Sequence, residues 1–308
     1  MHVLITGGAG FIGSHTVEAL LEGGATVRVL DNLSAGKRQN LPDHKKLELQ
    51  VGDIRNIRDV ATAMQGVTHV LHLAAQVSVQ ASVEDPPTSC TQNISGFVNV
   101  LNAARVHKVK RFAYASSAAV YGIPTHLPLS EDSPVQPISP YGLEKSVNDQ
   151  YATLFHSLYS FSSLGLRYFN VFGPRQDPKS PYAGVISKFL ECIARDSPLV
   201  VFGDGKQTRD FIFVKDVAQA NRAALDGEGR GVCNVGTGQS RTLLQVIEAL
   251  SLCVGRSLAV QHMPPRDGDI QHSGTRADHV RELLGFTAQT SLQDGLNALV
   301  QESRSGPG

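Results

Sequence analysis

The chain has 308 residues, enough for about two domain-sized units or one large α/β unit with an elaborated end. Lys plus Arg number 28 and Asp plus Glu 28, so no net field draws it towards nucleic acid or an anionic membrane. Its apolar runs fall short of the roughly 18 to 20 residues that a membrane helix needs, and Met1 leads at once into a strand-like run instead of a signal peptide, so a soluble cytoplasmic protein is expected.

Strand-like runs of β-branched residues come at 2–6, 26–30, 47–50, 67–73, 111–115 and 164–167, with helix-length segments at 11–21, 57–64, 91–106 and 141–158 between them. Repeated βα units build a parallel sheet. Several runs are apolar on both faces, as in a sheet covered by helices on each side, so the expected fold is α/β: a doubly wound, Rossmann-like parallel sheet. The segment 141–158 carries Val147, Tyr151, Leu154, Phe155 and Leu158 at helical spacing, a stripe open to use in core packing or in a homodimer seam. After Asn170, Pro and Gly become frequent, and helices expected near 183–195, 214–225, 242–254 and 291–302 are separated by polar loops. The domain plan is therefore residues 1–170 for the sheet and 171–308 for a smaller, mainly C-terminal domain, with a strand at 232–235 rejoining the sheet.

The first strand runs directly into Thr6-Gly7-Gly8-Ala9-Gly10-Phe11-Ile12-Gly13-Ser14, which places glycines at 7, 10 and 13 just ahead of a helix. Gly7 makes the tight turn, Gly10 lets a pyrophosphate approach the backbone, and Gly13 lets the helix pack closely on the sheet. The helix N-terminus adds free N–H groups and a partial positive charge. Asp31 ends the second strand 18 residues beyond Gly13, close to the ~20 at which a carboxylate meets the adenosine ribose hydroxyls. A negative charge there repels a 2′-phosphate, so NAD is expected over NADP. Asp53, after the third strand, is in reach of the adenine or serves as a helix cap.

Tyr141 and Lys145 stand four residues apart, on one face of the helix that begins there. Upstream, Ser116 and Ser117 fall at the C-terminal end of the fifth strand, the edge at which doubly wound sheets bind ligands. The three side-chain types make coherent chemistry. A phenol of pKa near 10 acts as a base around neutrality only beside a cation that stabilises its phenolate, and a serine hydroxyl aligns the substrate oxygen.

These motifs belong to a longer ordered series: TGGAGFIG at 6–13, DNLS at 31–34, GDI at 52–54, HLAAQ at 72–76, SSAAVYG at 116–122, SPYGLEK at 139–145, RYFNVFGPRQ at 167–176, GDGKQTRDFIFVKD at 203–216 and PRDGDIQHS at 265–273. Over nearly its whole length the chain resembles the extended short-chain dehydrogenase/reductase family, and within it the nucleotide-sugar 4-epimerases. That resemblance implies a UDP-sugar substrate and a redox-neutral reaction. NAD takes hydride from C4 of the sugar while a tyrosine takes the O4 proton, and hydride then returns to the other face of the 4-keto sugar. It implies Ser117, Tyr141 and Lys145 as the catalytic trio, Ser116 as an assistant beside the substrate, and Tyr141 and Lys145 as cofactor contacts too. Gly7, Gly10, Phe11, Ile12, Gly13, Asp31, Asn32, Asp53, Ile54, Leu73, Ala74, Ala75 and Tyr168 are implied around the NAD.

At the nucleotide end, Arg209 and Arg266 match two arginines that clamp the diphosphate, as a guanidinium fork does. Asn170 matches another diphosphate contact, Asp269 a ribose contact, and Ile186, Val200 and Phe202 a border to the uracil. Related dehydratases carry Asp-Glu after the serine or threonine position, and related decarboxylases carry Glu; Ala118 and Ala119 stand here, which favours epimerisation. Ser273 matches a position beside the sugar where members restricted to glucose and galactose can carry tyrosine. A small residue leaves room for a 2-acetamido group, so UDP-N-acetylglucosamine and UDP-N-acetylgalactosamine are the expected substrates. The rival expectations are an epimerase of UDP-glucose alone or of UDP-uronic acids, and a non-catalytic NAD-binding regulatory protein. Val77 departs from the pattern, since the galactose enzyme has a lysine there. A homodimer through helices near 92–106 and 141–158 is expected.

No metal is expected. His69 and His72 spell HxxH, but residues three apart on a strand point to opposite faces. Cys90, Cys192, Cys233 and Cys253 form no CxxC and read as reduced thiols. The sequence holds no HExxH, P-loop or GxSxG, which leaves metalloprotease, nucleotide triphosphatase and hydrolase readings without support.

Overall fold

The computed structural model describes residues 1–177, 184–265 and 268–305. In chain order the first half contains β1 (His2–Thr6), α1 (Phe11–Glu22), β2 (Thr26–Asp31), β3 (Leu47–Val51), α2 (Ile57–Met64), β4 (His69–His72), α3 (Val79–Glu84), α4 (Pro86–Cys90), a π-helical turn (Thr91–Ser95), α5 (Gly96–Val106), β5 (Arg111–Ser117), α6 (Pro140–Tyr159) and β6 (Ser163–Tyr168). The second half contains β7 (Asn170–Phe172), α7 (Val185–Ala194), β8 (Leu199–Phe202), β9 (Thr208–Phe213), α8 (Val214–Asp226), β10 (Gly231–Val235), β11 (Ser240–Thr242), α9 (Leu243–Val254), β12 (Val260–Met263), α10 (Asp278–Leu284) and α11 (Leu292–Ser305).

Seven strands form one parallel sheet in the order β10-β6-β5-β4-β1-β2-β3. This is the doubly wound α/β fold. Its strands are apolar on both faces because each face is covered. Val3 and Ile5 of β1 pack with Val17 and Leu20 of α1 and Val217 and Ala220 of α8. Leu4, between them, packs on the other side with Val60 of α2, Phe97 of α5 and Phe155 of α6. Winding reverses between β1 and β4, and a doubly wound sheet opens its ligand crevice at the carboxyl ends of the strands beside that point.

The second half departs from the expectation of helices joined by polar loops. β7, β9 and β11 make a three-stranded sheet, and β8 pairs with β12, around a core that includes Phe172, Phe189, Val201 and Leu250. Strands of three to six residues carry too few alternations for their period to stand out. The main sheet also recruits from this half: β10 joins its edge against β6, and α8 lies on α1. Between 79 and 90 two helices precede the one expected from 91. Asp85 caps the second of them by accepting the Thr88 N–H at 3.2 Å, with Pro86 in its first turn. No helix among the described residues is long and apolar enough to cross a membrane, and no cluster of three or more His, Cys, Asp or Glu among them could hold a metal.

His72, at the end of β4, is 2% exposed. Its Nδ1 lies 2.8 Å from the Thr6 hydroxyl, and its ring meets Phe97 edge-on. Burial, aided by the Lys145 charge, pushes its pKa down to about 3. The unfolded chain, titrating near 6.5, takes up a proton that the folded chain refuses. Stability is therefore full above pH 6.5 and declines as pH falls towards 3. Between pH 7 and pH 5 His72 should account for a loss of about 2 kcal/mol. Urea unfolding of the wild type and of His72→Asn at both pH values measures it: the variant should lose less on acidification, and an equal loss in both proteins would refute the assignment.

Candidate active site

Gly7 turns the chain out of β1 with φ +73°, and a Cβ there would lie 2.7 Å from the Ala74 nitrogen. A Cβ on Gly13 would lie 2.2 Å from the Gly7 carbonyl oxygen. Backbone contact thus requires glycine at both positions. Gly10 differs: a Cβ there meets only the Gly7 oxygen, at 3.2 Å, so the space above it is open to a ligand. As the N-cap of α1 it brings no side chain to the first-turn N–H groups of Phe11, Ile12 and Gly13, which suits them to a phosphate. The backbone N–H groups of Ala9 and Leu33 each donate to the Asp31 carboxylate at 2.9 Å and hold it at the rim of this turn. Open space over Gly10, unsatisfied helix N–H groups and a carboxylate at the ribose end together fit a dinucleotide with an unphosphorylated ribose.

Farther along the same edge, Asn32 donates to Asp53, whose carboxylate is gripped on both oxygens by Arg55. Those bonds, the Arg55 side chain first, hold the Asp53 carboxyl well below the usual range. The cap of α2 is Asn56, which removes the capping alternative for Asp53. Leu73, Ala74 and Ala75 follow β4 directly, and the Ala74 N–H donates to Thr6 Oγ1 at 3.3 Å. The Ile54 side chain is buried against Gly96, so only its backbone is available to a cofactor. Tyr168 needs a correction: its side chain lies in the core under α1 and α8, with its hydroxyl donating to Asn221 at 2.6 Å, which leaves only its backbone near the carboxyl edge.

Helix α6 crosses the end of β5. Its cap, Ser139, accepts the Gly142 N–H at 3.1 Å, and Pro140 occupies the first turn. Ser82 of α3 accepts the Tyr141 N–H at 3.1 Å. Gly142 allows close approach to the turn at 118–121, since a Cβ would meet the Ala119 oxygen at 2.6 Å. These contacts fix Tyr141, which is half-buried. One turn on, Lys145 is 2% exposed and donates to the Ala115 carbonyl at 2.9 Å, with Nζ 5.8 Å from the centre of the Tyr141 ring. The Ser117 hydroxyl accepts the Ala119 N–H at 3.1 Å and lies beside the Tyr141 phenol. Burial pushes the Tyr141 pKa up while the neighbouring Ser117 hydroxyl opposes it. Burial likewise pushes Lys145 down, to about 8, against the pull of the Asp149 and Glu144 charges. The structure therefore brings Ser117, Tyr141 and Lys145 together at the crevice.

Ser116 is not part of that group. It alternates to the other face of β5, is 2% exposed and donates to Asp149 at 3.2 Å, so its hydroxyl is out of reach of a substrate in the crevice. Across the crevice, Arg209 Nη2 lies 3.3 Å from the Asp269 carboxylate, and its Nη1 donates to the Thr208 carbonyl at 2.8 Å. Asn170 is exposed at the start of β7. Val200 and Phe202 share the outer face of β8, whereas Ile186 is 2% exposed in the core of the smaller unit, a position that keeps it from bordering a ligand. Ser273 is buried; its N–H donates to the Thr208 carbonyl at 3.0 Å. Val77 is 68% exposed. Arg266 lies outside the described residues.

Sequence reasoning missed the supports of this site. Glu144, 3% exposed, accepts from Ser89 at 2.9 Å and from Asn93 at 2.6 Å, and Asn93, in the π-helical turn, bonds both the N–H and the carbonyl of Gln76. Only Ser139-Pro140 left a local signal, a capping residue followed by proline. The others are paired across more than fifteen residues and leave no pattern along the chain.

Residues 3–236 match the NAD dependent epimerase/dehydratase family. Over 311 residues the chain is 38% identical to the UDP-glucose 4-epimerase of Mycolicibacterium smegmatis, with 99% of each covered. It is similar to the crystal structure of Thermus thermophilus UDP-glucose 4-epimerase in complex with NAD, at 38% identity and TM-score 0.92 over 100% of both chains. It is also similar to the UDP-N-acetylglucosamine 4-epimerase of Methanobrevibacter ruminantium in complex with UDP-N-acetylmuramic acid, at 36% identity and TM-score 0.93, covering 97% of this chain and 98% of that one. In sequence, fold and the crevice built from both, the chain belongs to the NAD dependent epimerase/dehydratase family and is an NAD-dependent epimerase.

Proposed function

We propose that the protein interconverts UDP-hexoses at C4, with UDP-N-acetylglucosamine and UDP-N-acetylgalactosamine as its principal substrates. The observation that carries this reading is the Ser117–Tyr141–Lys145 cluster beside the glycine turn, followed by Ala118 and Ala119 in place of an acid pair that could eliminate water. NAD, when bound, supplies the acceptor and then the donor of the C4 hydride. Gly10, the first-turn N–H groups of α1 and Asp31 would hold it. Tyr141 takes the O4 proton and gives it back, Ser117 orients the sugar oxygen, and the Lys145 ammonium stabilises the phenolate that burial disfavours. Arg209, with Arg266, would hold the diphosphate, and Asp269 the nucleoside ribose. A purely regulatory NAD-binding protein needs the glycine turn but not the buried lysine and its supports.

The N-acetyl preference rests on Ser273, a small residue on the strand-like segment beside Thr208. The dimer reading rests on α6: Leu143, Leu154 and Leu158 are exposed along one face, with Val147 and Tyr151 between them, while Phe155 turns to the core. Arg105 of α5 lies 4.4 Å over the Tyr159 ring at one end of that face.

Purified protein incubated separately with UDP-N-acetylglucosamine, UDP-glucose and UDP-glucuronic acid, with epimers resolved by NMR, tests the substrate. Turnover should be fastest on the first; inertness to all three would sink the catalytic reading. Tyr141→Phe should lower kcat by about 10²–10⁴ with little change in KM, and normal turnover would remove Tyr141 as the base. Ser273→Tyr should cut kcat/KM for UDP-N-acetylglucosamine at least about tenfold relative to UDP-glucose, a difference of about 1.4 kcal/mol; an unchanged ratio contradicts the pocket assignment. In sedimentation velocity the wild type should run as a dimer and Leu154→Arg/Leu158→Arg as a monomer. A monomeric wild type at micromolar concentration ends the dimer proposal.

A further inference from the structure

Beneath the Ser117–Tyr141–Lys145 cluster lies a buried set of charges that the proton transfer does not touch. Asp149 follows Lys145 by one turn of α6 and is 8% exposed. Its carboxylate accepts from the Tyr114 hydroxyl at 3.0 Å, the Ser116 hydroxyl at 3.2 Å, and Arg167 through Nε at 3.1 Å and Nη2 at 3.0 Å. Tyr114 and Ser116 are alternate residues of β5 and share one face, and Ser116 stands opposite Arg167 in the β5–β6 ladder. Arg167 is fixed in turn, donating to the Tyr121 hydroxyl at 2.8 Å and stacking over that ring at 5.0 Å. A buried ion pair seldom stabilises a fold more than well-packed apolar residues of the same volume, so stability alone gives no reason for one here. Its place beside the one buried ammonium of α6 does.

We propose that Asp149, locked by Arg167, is a positioning residue for Lys145: a fixed negative charge one helical turn beneath the ammonium, which keeps the lysine charged and so sets the pH range over which Tyr141 accepts a proton. It rests on the proposed roles of Tyr141 and Lys145 as the proton-transfer pair. Around the ammonium, α6 supplies Tyr141, Glu144 and Asp149, β4 supplies His72, β5 supplies Tyr114 and the Ala115 carbonyl, and β6 supplies Arg167 through Asp149. His72, with its pKa pushed down to about 3, is neutral at working pH. Glu144 is engaged by Ser89 and Asn93. Of the charges that resist the effect of burial on Lys145, Asp149 is the strongest and Glu144 the next. Without the Asp149 charge, burial acts with less opposition and the Arg167 cation is left uncompensated, and both push Lys145 to release its proton at lower pH. Above that pH Tyr141 loses the cation that steadies its phenolate, and turnover falls.

The test follows the lysine itself. In holoenzyme labelled with ¹³C at the lysine Cε atoms, the Lys145 resonance is assigned by its loss in Lys145→Met and titrated by NMR. In Asp149→Asn its midpoint should drop by at least about one pH unit, with kcat about tenfold lower on the alkaline side and KM unchanged. Tyr114→Phe removes a hydrogen bond from Asp149 but no charge, and it should leave the midpoint in place. If Asp149→Asn does not fold, Asp149→Asn/Arg167→Met removes the pair together and should show a smaller drop in the same direction, because the Arg167 cation no longer adds to it. An unshifted midpoint in either folded variant overturns the proposal, as does a uniform loss of activity at every pH. Because the titration needs no turnover, an enzyme inert to every UDP-hexose would defeat the functional reading and still leave this one decided.

Discussion

A lysine ammonium sealed at the carboxyl end of a parallel sheet must have an acceptor and a counter-charge, because an uncompensated buried charge costs several kcal/mol. Much of the local architecture meets that demand for Lys145. Helix α6 has to lie close enough to β5 for Nζ to reach the Ala115 carbonyl, and Gly142 permits the approach by carrying no Cβ against the Ala119 oxygen. Ser139 and Ser82 take the helix's first-turn donors, so the end that bears Tyr141 is pinned. The ammonium sets the position of the helix, and the helix sets the position of the phenol.

The opposite wall obeys a different constraint, close approach of backbone to backbone. Gly7 and Gly13 leave no room for a side chain, whereas Gly10 faces open space, so one short turn contains both the parts that pack and the part that receives. The smaller unit hangs directly from the sheet, with a single residue, Phe169, between β6 and β7. Arg209 is partly paired with Asp269 at 3.3 Å. That bond is long and single, and the other end of the guanidinium is shared between the Thr208 and Gln271 carbonyls.

The main sheet and the glycine turn were legible in the sequence because their signals are local: short β-branched apolar runs, turn residues at fixed offsets, and a carboxylate at the end of the second strand. Legibility failed where a side chain's direction mattered. Ser116 and Ser117 are neighbours in sequence, yet one turns to Asp149 behind the strand and the other to Tyr141, and only the end of β5 decides which. Tyr168 and Ile186 likewise sit in motifs of the expected order while their side chains serve the core. The short strands β7, β8, β9, β11 and β12 escaped notice because their pairing, not their composition, makes them strands. Asp149 and Arg167 were illegible for the same reason, as the bond that joins two adjacent elements leaves no trace along either.

The segment between β5 and α6 ties the two halves of the crevice together. At one end Tyr121 donates to Asn234 of β10 at 2.6 Å and receives the Arg167 bond. Midway along it the Leu129 N–H donates to the Gly274 carbonyl at 2.8 Å, and the Leu129 carbonyl accepts from the Arg276 N–H at 2.9 Å and the Thr275 hydroxyl at 3.1 Å. Ser273 directly precedes Gly274, and Ser117, the last residue of β5, directly precedes the segment. The segment that follows Ser117 and the loop at 273–276 are therefore joined by hydrogen bonds. A shift at Gly274 bears on Leu129 through that backbone bond, and so on the segment that connects β5 to α6.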